Sequence, residues 1–481
     1  MNNTNHFFGK PSMIILIFVM LFTFCMPMCA QEAPIYPEPI IVGNVQITGL
    51  PDDWTHHRLV FSDPGIEEDA IHNGNYDQWL IIVNDPRYII QQLKRGLPAQ
   101  GPAGDIVTRI AETNQIDAAS TADNKPGQQK SKVAKDWSMD LGTGTVGAGQ
   151  YPAKYSFSTT ATGLCSNSST PDYVVYNTGK AGASGSQANI IAYDNIYSGC
   201  SSVTGASTTV PLVYWSYYTG TGTAATSPVL SLNGTMVAFI ESGDPSSSST
   251  LRILKWKSGE GTNYSVPAAP DETYTNTTAG ASGNTAWSTC PSGDSCLISI
   301  AFQANAHTDT LSAPYYDYPS DTLWVGDSSG YLHEFTGVFL GTPGEVTSGG
   351  WPVSRSSCGG ALASPVYDNT HSLVFVGDFC GDLDAITTSG GVTSSSEVGY
   401  GSPDIDEAPL VDPTAGKVYL FVTDDGSSNC SFHTCTGVFQ FAYNFGSGSS
   451  GSKVLRVAHP AHTRRGEDAN SSTPTKIRPV S

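Results

Sequence analysis

Basic side chains are scarce over most of this sequence. Between Trp137 and Gly451 there are 7 Lys and Arg residues against 26 Asp and Glu residues, a net charge near −19. A protein that binds nucleic acid must neutralise phosphates with Lys and Arg, and this segment has too few of them. The composition therefore excludes a nucleic-acid partner and favours an exported protein that its acidity keeps soluble and monomeric.

Long apolar runs are missing too, apart from one near the amino terminus. Met13–Met26 is an apolar run of 14 residues, interrupted only by Thr23 and preceded by the positive charge of Lys10. A run of this length is too short to cross a bilayer comfortably and is typical of a signal peptide. We assign residues 1–30 to a signal peptide, and we expect a mature chain without an integral membrane span. That chain would be secreted, or held in the periplasm or cell envelope.

Catalytic motifs are also absent from the sequence. There is no G-x-S-x-G segment, and His333-Glu334 has no second histidine four residues further on. No C-x-x-C-H segment for haem attachment occurs either. The motifs of serine hydrolases, zinc proteases and c-type haem proteins are therefore missing, and the sequence indicates no enzyme class.

The cysteines predict a disulfide framework. The sequence has ten cysteines, of which two lie in the signal peptide. A metal site is the alternative, but no C-x2-C pair exists and thiolates do not persist in an oxidising compartment. The remaining eight cluster along the chain and predict sequential pairs: Cys165 with Cys200, Cys290 with Cys296, Cys358 with Cys380, and Cys430 with Cys435.

Composition divides the mature chain into four segments. Residues 31–117 contain strand-like runs and an amphipathic stretch that begins at Asp85-Pro86, and they predict a small α+β module. Residues 118–135 are polar and predict a linker. Residues 136–451 alternate short β-branched or aromatic runs with turn residues, which predicts an all-β domain. Residues 452–481 hold six Lys and Arg residues and predict a basic, disordered tail.

A repeat distinguishes among the all-β architectures. A [Ser/Ala]-Pro dipeptide repeatedly opens a short apolar run that is followed by two longer strand-like runs. The last three of these prolines are separated by 51 and 44 residues. The repeated prolines are Pro228, Pro314, Pro365 and Pro409, and a weaker first copy has Pro152.

Sheets built from such units must stack on one another, because one four-stranded sheet cannot bury both of its faces alone. Periods near 45 residues are typical of propeller blades. Proline is tolerated as the first residue of a strand, and Asp-x-x-Gly turns such as Asp327–Gly330 suit tight hairpins. We therefore predict a β-propeller of four-stranded blades with about five recognisable units, either closed by the leading module or incomplete.

Two copies of the repeat resemble a known family. Ala313–Phe335 and Ser364–Ile386 are similar to the strand-hairpin units of the quinoprotein-like (PQQ-repeat) β-propellers. Residues 136–451 as a whole also resemble uncharacterised secreted bacterial β-propeller proteins. The resemblance implies a fold and no activity. The Ala-x-Asp-x-x-Thr-Gly-x-x-x-Trp docking segment of the family and the vicinal cysteine pair of quinone dehydrogenases are both absent, so no quinone cofactor is expected.

Three carboxylates form the first candidate site. Asp404, Asp406 and Glu407 lie within four residues, just ahead of a predicted inner strand. Hard oxygen ligands this close together are suited to a structural Ca²⁺ ion, the one cofactor that we consider. A solvated acidic loop is the alternative interpretation.

Three tyrosines form the second candidate site. We predict Tyr315, Tyr316 and Tyr318 to be exposed, and flat aromatic faces can stack on a sugar or a peptide. Packing between blades is the alternative, because alternation buries about half of a strand's side chains. A third feature, His56-His57, is interpreted as a surface pair, since adjacent strand residues point in opposite directions.

The sequence therefore predicts a secreted, non-catalytic β-propeller that acts as a binding or scaffold module. Its partner would be a protein or a glycan, held over the central channel where loops from several blades converge. The alternative is a carbohydrate-active propeller enzyme, a lyase or glycosidase. That function requires two carboxylates, or a His or Tyr and a carboxylate, to converge on one face.

Overall fold

The computed structural model describes residues 40–42, 45–47, 49–97, 99–101, 139, 141, 150–158, 163–243, 248–276, 289–303, 310–355, 360–398, 405, 407–423 and 436–457. The chain divides into two compact units, residues 1–38 and 39–481, and every element below belongs to the second. The predicted signal peptide and linker lie outside the described residues.

The fold is mostly β, with few helices. A short hairpin pairs β1 (Ile40–Val42) with β2 (Val45–Ile47). Sheet 1 contains β3 (Leu50–Asp52), β4 (Ala153–Ser156), β5 (Tyr173–Asn177), β6 (Ile190–Asp194) and β7 (Leu212–Tyr217). Sheet 2 contains β8 (Val229–Leu230), β9 (Met236–Glu241), β10 (Thr250–Lys255), β11 (Glu272–Asn276) and β12 (Cys296–Ala301). In sheet 2 the order is β8-β9-β10-β12-β11, and β11 runs parallel to β12.

Three further sheets follow along the chain. Sheet 3 contains β13 (Tyr315–Asp317), β14 (Thr322–Gly326), β15 (Tyr331–Thr336), β16 (Gly344–Glu345) and β17 (Val353–Ser354), the last two pairing with β15. Sheet 4 contains β18 (Val366–Asp368), β19 (Leu373–Gly377), β20 (Leu383–Thr387) and β21 (Val392–Ser394). Sheet 5 contains β22 (Leu410–Asp412), β23 (Lys417–Val422), β24 (Thr436–Ala442) and β25 (Ser452–Val457).

Helices are confined to the beginning of the described chain, apart from one 3-10 turn. They are a 3-10 helix at Trp54–His57, α1 (Glu67–Asn73), α2 (Tyr76–Val83), α3 (Pro86–Arg95), and the 3-10 turn at Ser198–Ser202. The helix predicted after Asp85-Pro86 is confirmed as α3.

The predicted strand runs are confirmed in all five sheets. Each of β8, β13, β18 and β22 begins immediately after its proline, and its two successors pair in an antiparallel meander. The strands β9 of sheet 2 and β14 of sheet 3 are buried along their whole length, so both faces of these two sheets are covered at these strands. Complete burial of both faces explains why these runs are continuously apolar rather than alternating.

Tight turns depend on one aspartate and one glycine each. Asp327 Oδ1 accepts the backbone N–H groups of Ser329 and Tyr331, at 2.9 and 2.8 Å. Gly330 has a φ of +83°, which side chains with a Cβ rarely adopt, and a Cβ there would lie 2.9 Å from the Gly360 carbonyl oxygen. The Asp-x-x-Gly pattern thus specifies the hairpin.

The [Ser/Ala]-Pro dipeptides also link neighbouring sheets. Ala313 N donates to Ser364 Oγ at 2.8 Å, and Tyr151 N donates to Ser227 Oγ at 2.8 Å. In both cases the residue before the proline of one unit binds the serine before the proline of the next unit. These two bonds therefore align sheet 1 with sheet 2 and sheet 3 with sheet 4.

The segment 49–101, called the leading segment below, is not a separate module. Its strand β3 pairs with β4 and extends sheet 1. Its side chains Trp54, Tyr88 and Leu93 belong to the same hydrophobic core as those of sheets 2 to 5. The leading segment is therefore continuous with the sheets, while the predicted boundaries at residues 117 and 135 lie outside the described residues. At the other end, β25 carries sheet 5 to Val457, beyond the boundary predicted at Gly451.

Two of the predicted disulfides are confirmed. Cys165 is bonded to Cys200 and Cys290 to Cys296, with Cα–Cα distances of 5.5 and 6.1 Å. Cys380 is also disulfide-bonded. Its predicted partner and the predicted fourth pair lie outside the described residues: Cys358, Cys430 and Cys435.

Candidate functional site

The leading segment lies among the first strands of several sheets. Trp54 Nε1 donates to the Pro314 carbonyl oxygen at 3.1 Å, just before β13. Leu230 N, on β8, donates to Asp53 Oδ2 at 3.1 Å. Leu59 forms a parallel bridge with Val411 of β22. The segment thus contacts sheets 2, 3 and 5, and through β3 it belongs to sheet 1.

Arg87 is directed into this region by the start of α3. Pro86 occupies the first helical turn, and the Asp85 side chain caps the helix by accepting Arg87 N at 2.7 Å. The Arg87 side chain is only 1 % exposed. Its Nη2 donates to Thr55 Oγ1 at 3.0 Å and also to the Tyr316 carbonyl oxygen.

Two aromatic rings contact the Arg87 guanidinium. Its Cζ lies 4.9 Å from the centroid of the Tyr315 ring and 4.4 Å from that of the Tyr318 ring. Cation–π attraction of this kind strengthens when the pair is shielded from water. Arg87 therefore ties the leading segment to the first strand of sheet 3 through both hydrogen bonds and ring contacts.

Three buried carboxyl groups surround this cation. Burial raises the pKa of Asp53, Asp85 and Asp317, although the charge of Arg87 opposes the rise in each case. For Asp85 the pKa is raised from 3.8 to about 7. Each carboxyl also caps a turn or a helix, since Asp53 accepts Thr55 N and Asp317 accepts Ser320 N, both at 3.0 Å. Their local role is structural.

His56 completes the cluster. Its Nε2 lies 3.0 Å from the Tyr318 hydroxyl, and the side chain is buried. Burial, reinforced by the positive charges of Arg87 and Lys94, holds the pKa of His56 well below its usual value. The imidazole is therefore neutral near pH 7, and it acts here as a hydrogen-bonding group rather than as a charge.

Several polar atoms of this cluster have no partner among the described residues. They are Arg87 Nε and Nη1, His56 Nδ1 and the Tyr315 hydroxyl. Protein interiors leave few buried polar atoms unpaired. This cluster around Arg87, called the centre below, therefore retains hydrogen-bonding capacity that the surrounding side chains do not use. In the part of the chain that the structure covers, no group of three or more His, Cys, Asp or Glu residues is arranged to hold a metal ion.

The exposure predicted for the three tyrosines is wrong. Tyr315, Tyr316 and Tyr318 are 0 %, 2 % and 3 % exposed. Arg87 lies over two of the rings, and the Tyr316 hydroxyl donates to Asp321 Oδ1 at 2.9 Å. The interpretation of these residues as core packing is therefore correct, and they cannot stack on a ligand from solvent.

The predicted calcium site is only partly within the described residues. Glu407 forms an ion pair with Arg58 of the leading segment, and Arg58 Nη1 also donates to the Ala408 carbonyl oxygen at 3.0 Å. The described carboxylate therefore binds the leading segment to sheet 5. Asp404 and Asp406 lie outside the described residues, and the calcium site stays a prediction.

The surface location predicted for His56-His57 applies to His57 alone. His57 is exposed, and its Nε2 lies 3.4 Å from Asp52 Oδ1, which also accepts Lys94 Nζ at 2.8 Å. Burial alone would raise the pKa of Asp52, but hydrogen bonds from His57 and Lys94 lower it. The two histidines lie in the 3-10 helix Trp54–His57 and not in a strand, and they separate into one buried and one exposed group.

A second buried cluster was missed by sequence reasoning. His333 Nδ1 lies 2.7 Å from Glu345 Oε1, and its Nε2 lies 3.4 Å from Asp327 Oδ2. Burial alone lowers the pKa of His333, but the hydrogen bonds and charges of the two carboxylates outweigh it and raise the pKa. The Phe302 ring covers the imidazole at a centroid distance of 4.4 Å. The cluster is shut off from solvent, which favours a structural role.

Comparison with known proteins gives little guidance. No family model matches the chain, and no curated protein matches it. A TolB-like protein from Agrobacterium tumefaciens is among the solved structures that align. Its TM-score is 0.29 at 11 % identity, over 60 % of this chain and 77 % of that one. A likeness this distant carries no argument about function.

Proposed function

We propose that this protein is an extracytoplasmic β-propeller that acts as a non-catalytic binding or scaffold module. The observation that carries the proposal is that the buried Arg, Asp and His side chains, which could take part in catalysis, instead form hydrogen bonds and ion pairs between segments of the fold. Arg87, Asp53 and His56 join the leading segment to sheets 2 and 3, and His333 is enclosed by two carboxylates. Groups fixed in this way support a rigid scaffold rather than a reaction.

The arrangement of the sheets supports the propeller. Successive first strands contact one another, as β4 does with β8, β13 with β18, and β18 with β22. The serine of one unit accepts an N–H from the preceding unit in two places. Stacked meanders whose first strands converge are the arrangement of propeller blades, and the leading segment would then occupy the axis.

An occupied axis changes where a ligand would bind. Trp54, Leu59 and Arg87 take the positions among the first strands that a ligand in an open channel would use. A protein or glycan partner would therefore bind the loops around the leading segment rather than enter a channel. The two disulfides suit the oxidising compartment in which we place this protein. Among the described residues, no helix is long and apolar enough to span a bilayer.

The alternative function, a lyase or glycosidase, can be tested at one pair. Tyr197 donates its hydroxyl to Asp172 Oδ2 at 2.6 Å, and Lys154 Nζ lies 4.9 Å from the Tyr197 ring centroid. Burial, with the charge of Asp172, raises the pKa of Tyr197, so the phenol stays protonated at neutral pH. A protonated phenol cannot serve as a general base, which disfavours a lyase mechanism here.

The decisive experiment combines binding and turnover on the oxidised, full-length protein. Glycan and peptide arrays would be screened first, followed by assays for new reducing ends and unsaturated sugars on the same glycans. Saturable binding without product supports the proposal. Product formation that is lost in Tyr197→Phe would overturn it in favour of the enzyme, and the absence of any ligand would overturn the binding role.

A further inference from the structure

The two described disulfides have different surroundings. Both cysteines of the first bridge are buried, Cys165 at 8 % exposure and Cys200 at 0 %. In the second bridge Cys296 is fully buried, whereas Cys290 is half-buried and lies in the turn before β12. An attacking thiolate needs access to a sulfur atom, and only the second bridge offers one near the surface.

A lysine lies directly beside the more exposed sulfur. Lys255 is the register partner of Cys296 across β10 and β12. Its Nζ lies 3.3 Å from Cys290 Sγ and 3.2 Å from the Pro291 carbonyl oxygen. Cys296 Sγ is one S–S bond further on, so the ammonium charge is close to both sulfurs. No cationic side chain is hydrogen-bonded to Cys165 or Cys200 in the portion of the chain that the structure describes.

A neighbouring ammonium group favours thiolate. A positive charge near a cysteine lowers the thiol pKa, and a sulfur that leaves as a more stable thiolate leaves faster. The acidic group opposite Cys296 in register is Glu272, on β11, and it opposes this effect. The other nearby carboxylates, Asp271 and Asp294, face Lys257, with distances of 3.0 and 4.0 Å to its Nζ. Lys255 is thus the positive charge aimed at the bridge.

We propose that Cys290–Cys296 is a site of thiol–disulfide exchange with small-molecule or protein thiols, whereas Cys165–Cys200 is purely structural. An external thiolate attacks Cys290 Sγ, the S–S bond breaks, and Cys296 leaves with the electron pair as a thiolate beside Lys255. The product is a mixed disulfide at Cys290. A second thiol of a dithiol reagent then displaces Cys290, so that the reagent is oxidised by two electrons and the two cysteines end as thiols.

Opening this bridge would affect a defined part of sheet 2. The bridge closes a short loop, with a sequence separation of 6, immediately before β12. That strand lies between β10 and β11 and pairs with both. Exchange would therefore release the turn that leads into a central strand, while the pairing of β10 with β12 holds the strand in place. This inference is independent of the proposed ligand binding.

The test is limited reduction of the oxidised full-length protein with dithiothreitol at neutral pH. Samples are quenched with iodoacetamide over time, and each cysteine peptide is quantified by mass spectrometry. We expect Cys290 and Cys296 to be alkylated well before Cys165 and Cys200. Simultaneous opening of the two bridges, or earlier opening of Cys165–Cys200, would overturn the proposal.

Variants of Lys255 test whether its charge, and not only the accessibility of Cys290, sets the rate at which the bridge opens. Lys255→Met keeps the length of the side chain and removes its charge, so the thiol pKa of the leaving cysteine should rise and Cys290–Cys296 should open more slowly. If the rate depends on the leaving thiol with a Brønsted coefficient of about 0.4–0.5, each unit of increase in that pKa slows opening about threefold. Lys255→Arg should restore the rate, and Glu272→Gln should increase it. Lys417→Met, at the start of β23 in sheet 5, is the control and should leave it unchanged. An unchanged rate in both Lys255 variants would refute the role assigned to the lysine.

Discussion

Asp85 provides the sharpest test of how the centre is held together. Its carboxyl caps α3, and burial raises its pKa from 3.8 to about 7 against the opposing charge of Arg87. Between these two pH values the folded protein retains a proton that the unfolded chain has lost. The stability that this group contributes is therefore complete below about pH 3.8 and is lost as the pH rises to about 7.

The variant Asp85→Asn isolates this effect. A protonated Asp and an Asn are both neutral and of similar shape, and Asn is an equally good helix cap, so it can still accept Arg87 N. The variant and the parent should be equally stable near pH 4. At pH 8 the variant avoids a buried charge. At about 1.4 kcal/mol per pKa unit, the rise in the pKa of Asp85 limits the gain in the variant's free energy of unfolding at pH 8 to about 4 kcal/mol.

The assay is urea denaturation of the oxidised protein, followed by tryptophan fluorescence at several pH values from 4 to 8. We expect Asp85→Asn to be more stable than the parent by at least about 1 kcal/mol at pH 8, with an unchanged dependence on urea. Asp77→Asn, on the exposed first turn of α2, is the control and should not become more stable than the parent at pH 8. A variant that is less stable than the parent at pH 8 would refute the reasoning, because it would show that Asp85 is ionised and stabilised by Arg87.

Three further outcomes are expected. Ser364→Ala removes the acceptor of Ala313 N and should lower the free energy of unfolding by about 1–3 kcal/mol, measured by urea denaturation, with exposed Ser201→Ala as the control. His333→Gln should destabilise the protein more at pH 6 than at pH 9. The raised pKa of His333 adds stability that is complete below pH 6.5 and is lost as the pH rises through the folded value, and urea midpoints at both pH values test this. Gly330→Ala places a Cβ where φ is +83° and should cost about 1–2 kcal/mol, seen as a lower melting temperature.

The strands could be predicted because their determinants are local. Proline at the start of a first strand, an Asp-x-x-Gly turn and a β-branched run each act within a few residues. The start of α3 was equally readable from Asp85-Pro86. Sequential disulfide pairing followed from the clustering of the cysteines, and the structure confirms two of those pairs.

The centre could not be predicted because its determinants are far apart along the chain. Arg87 and the carbonyl of Tyr316 are separated by 229 residues, and Trp54 and Pro314 by 260. A run such as Tyr315–Tyr318 has the same composition whether it faces solvent or another segment. Only the position of the leading segment decides between these outcomes, and no pattern within either stretch records it.

One position in the repeat shows how the fold accepts chemically different residues. In sheets 2, 3 and 4 the third strand places a polar residue directly after a fully buried leucine, at equivalent points of the meander. Each of these residues is paired with an ionisable side chain on a neighbouring strand or loop: the arginine and the histidine with a carboxylate, and the aspartate with an arginine. The pairs are Arg252 with Glu241, His333 with Glu345, and Asp384 with Arg355. An unpaired charge at such a depth is strongly destabilising, whereas a paired one is tolerated. The position therefore requires an ionisable side chain that has a partner, but it does not require a particular residue type. This explains why a buried histidine between two carboxylates lies where the neighbouring sheets place an arginine or an aspartate.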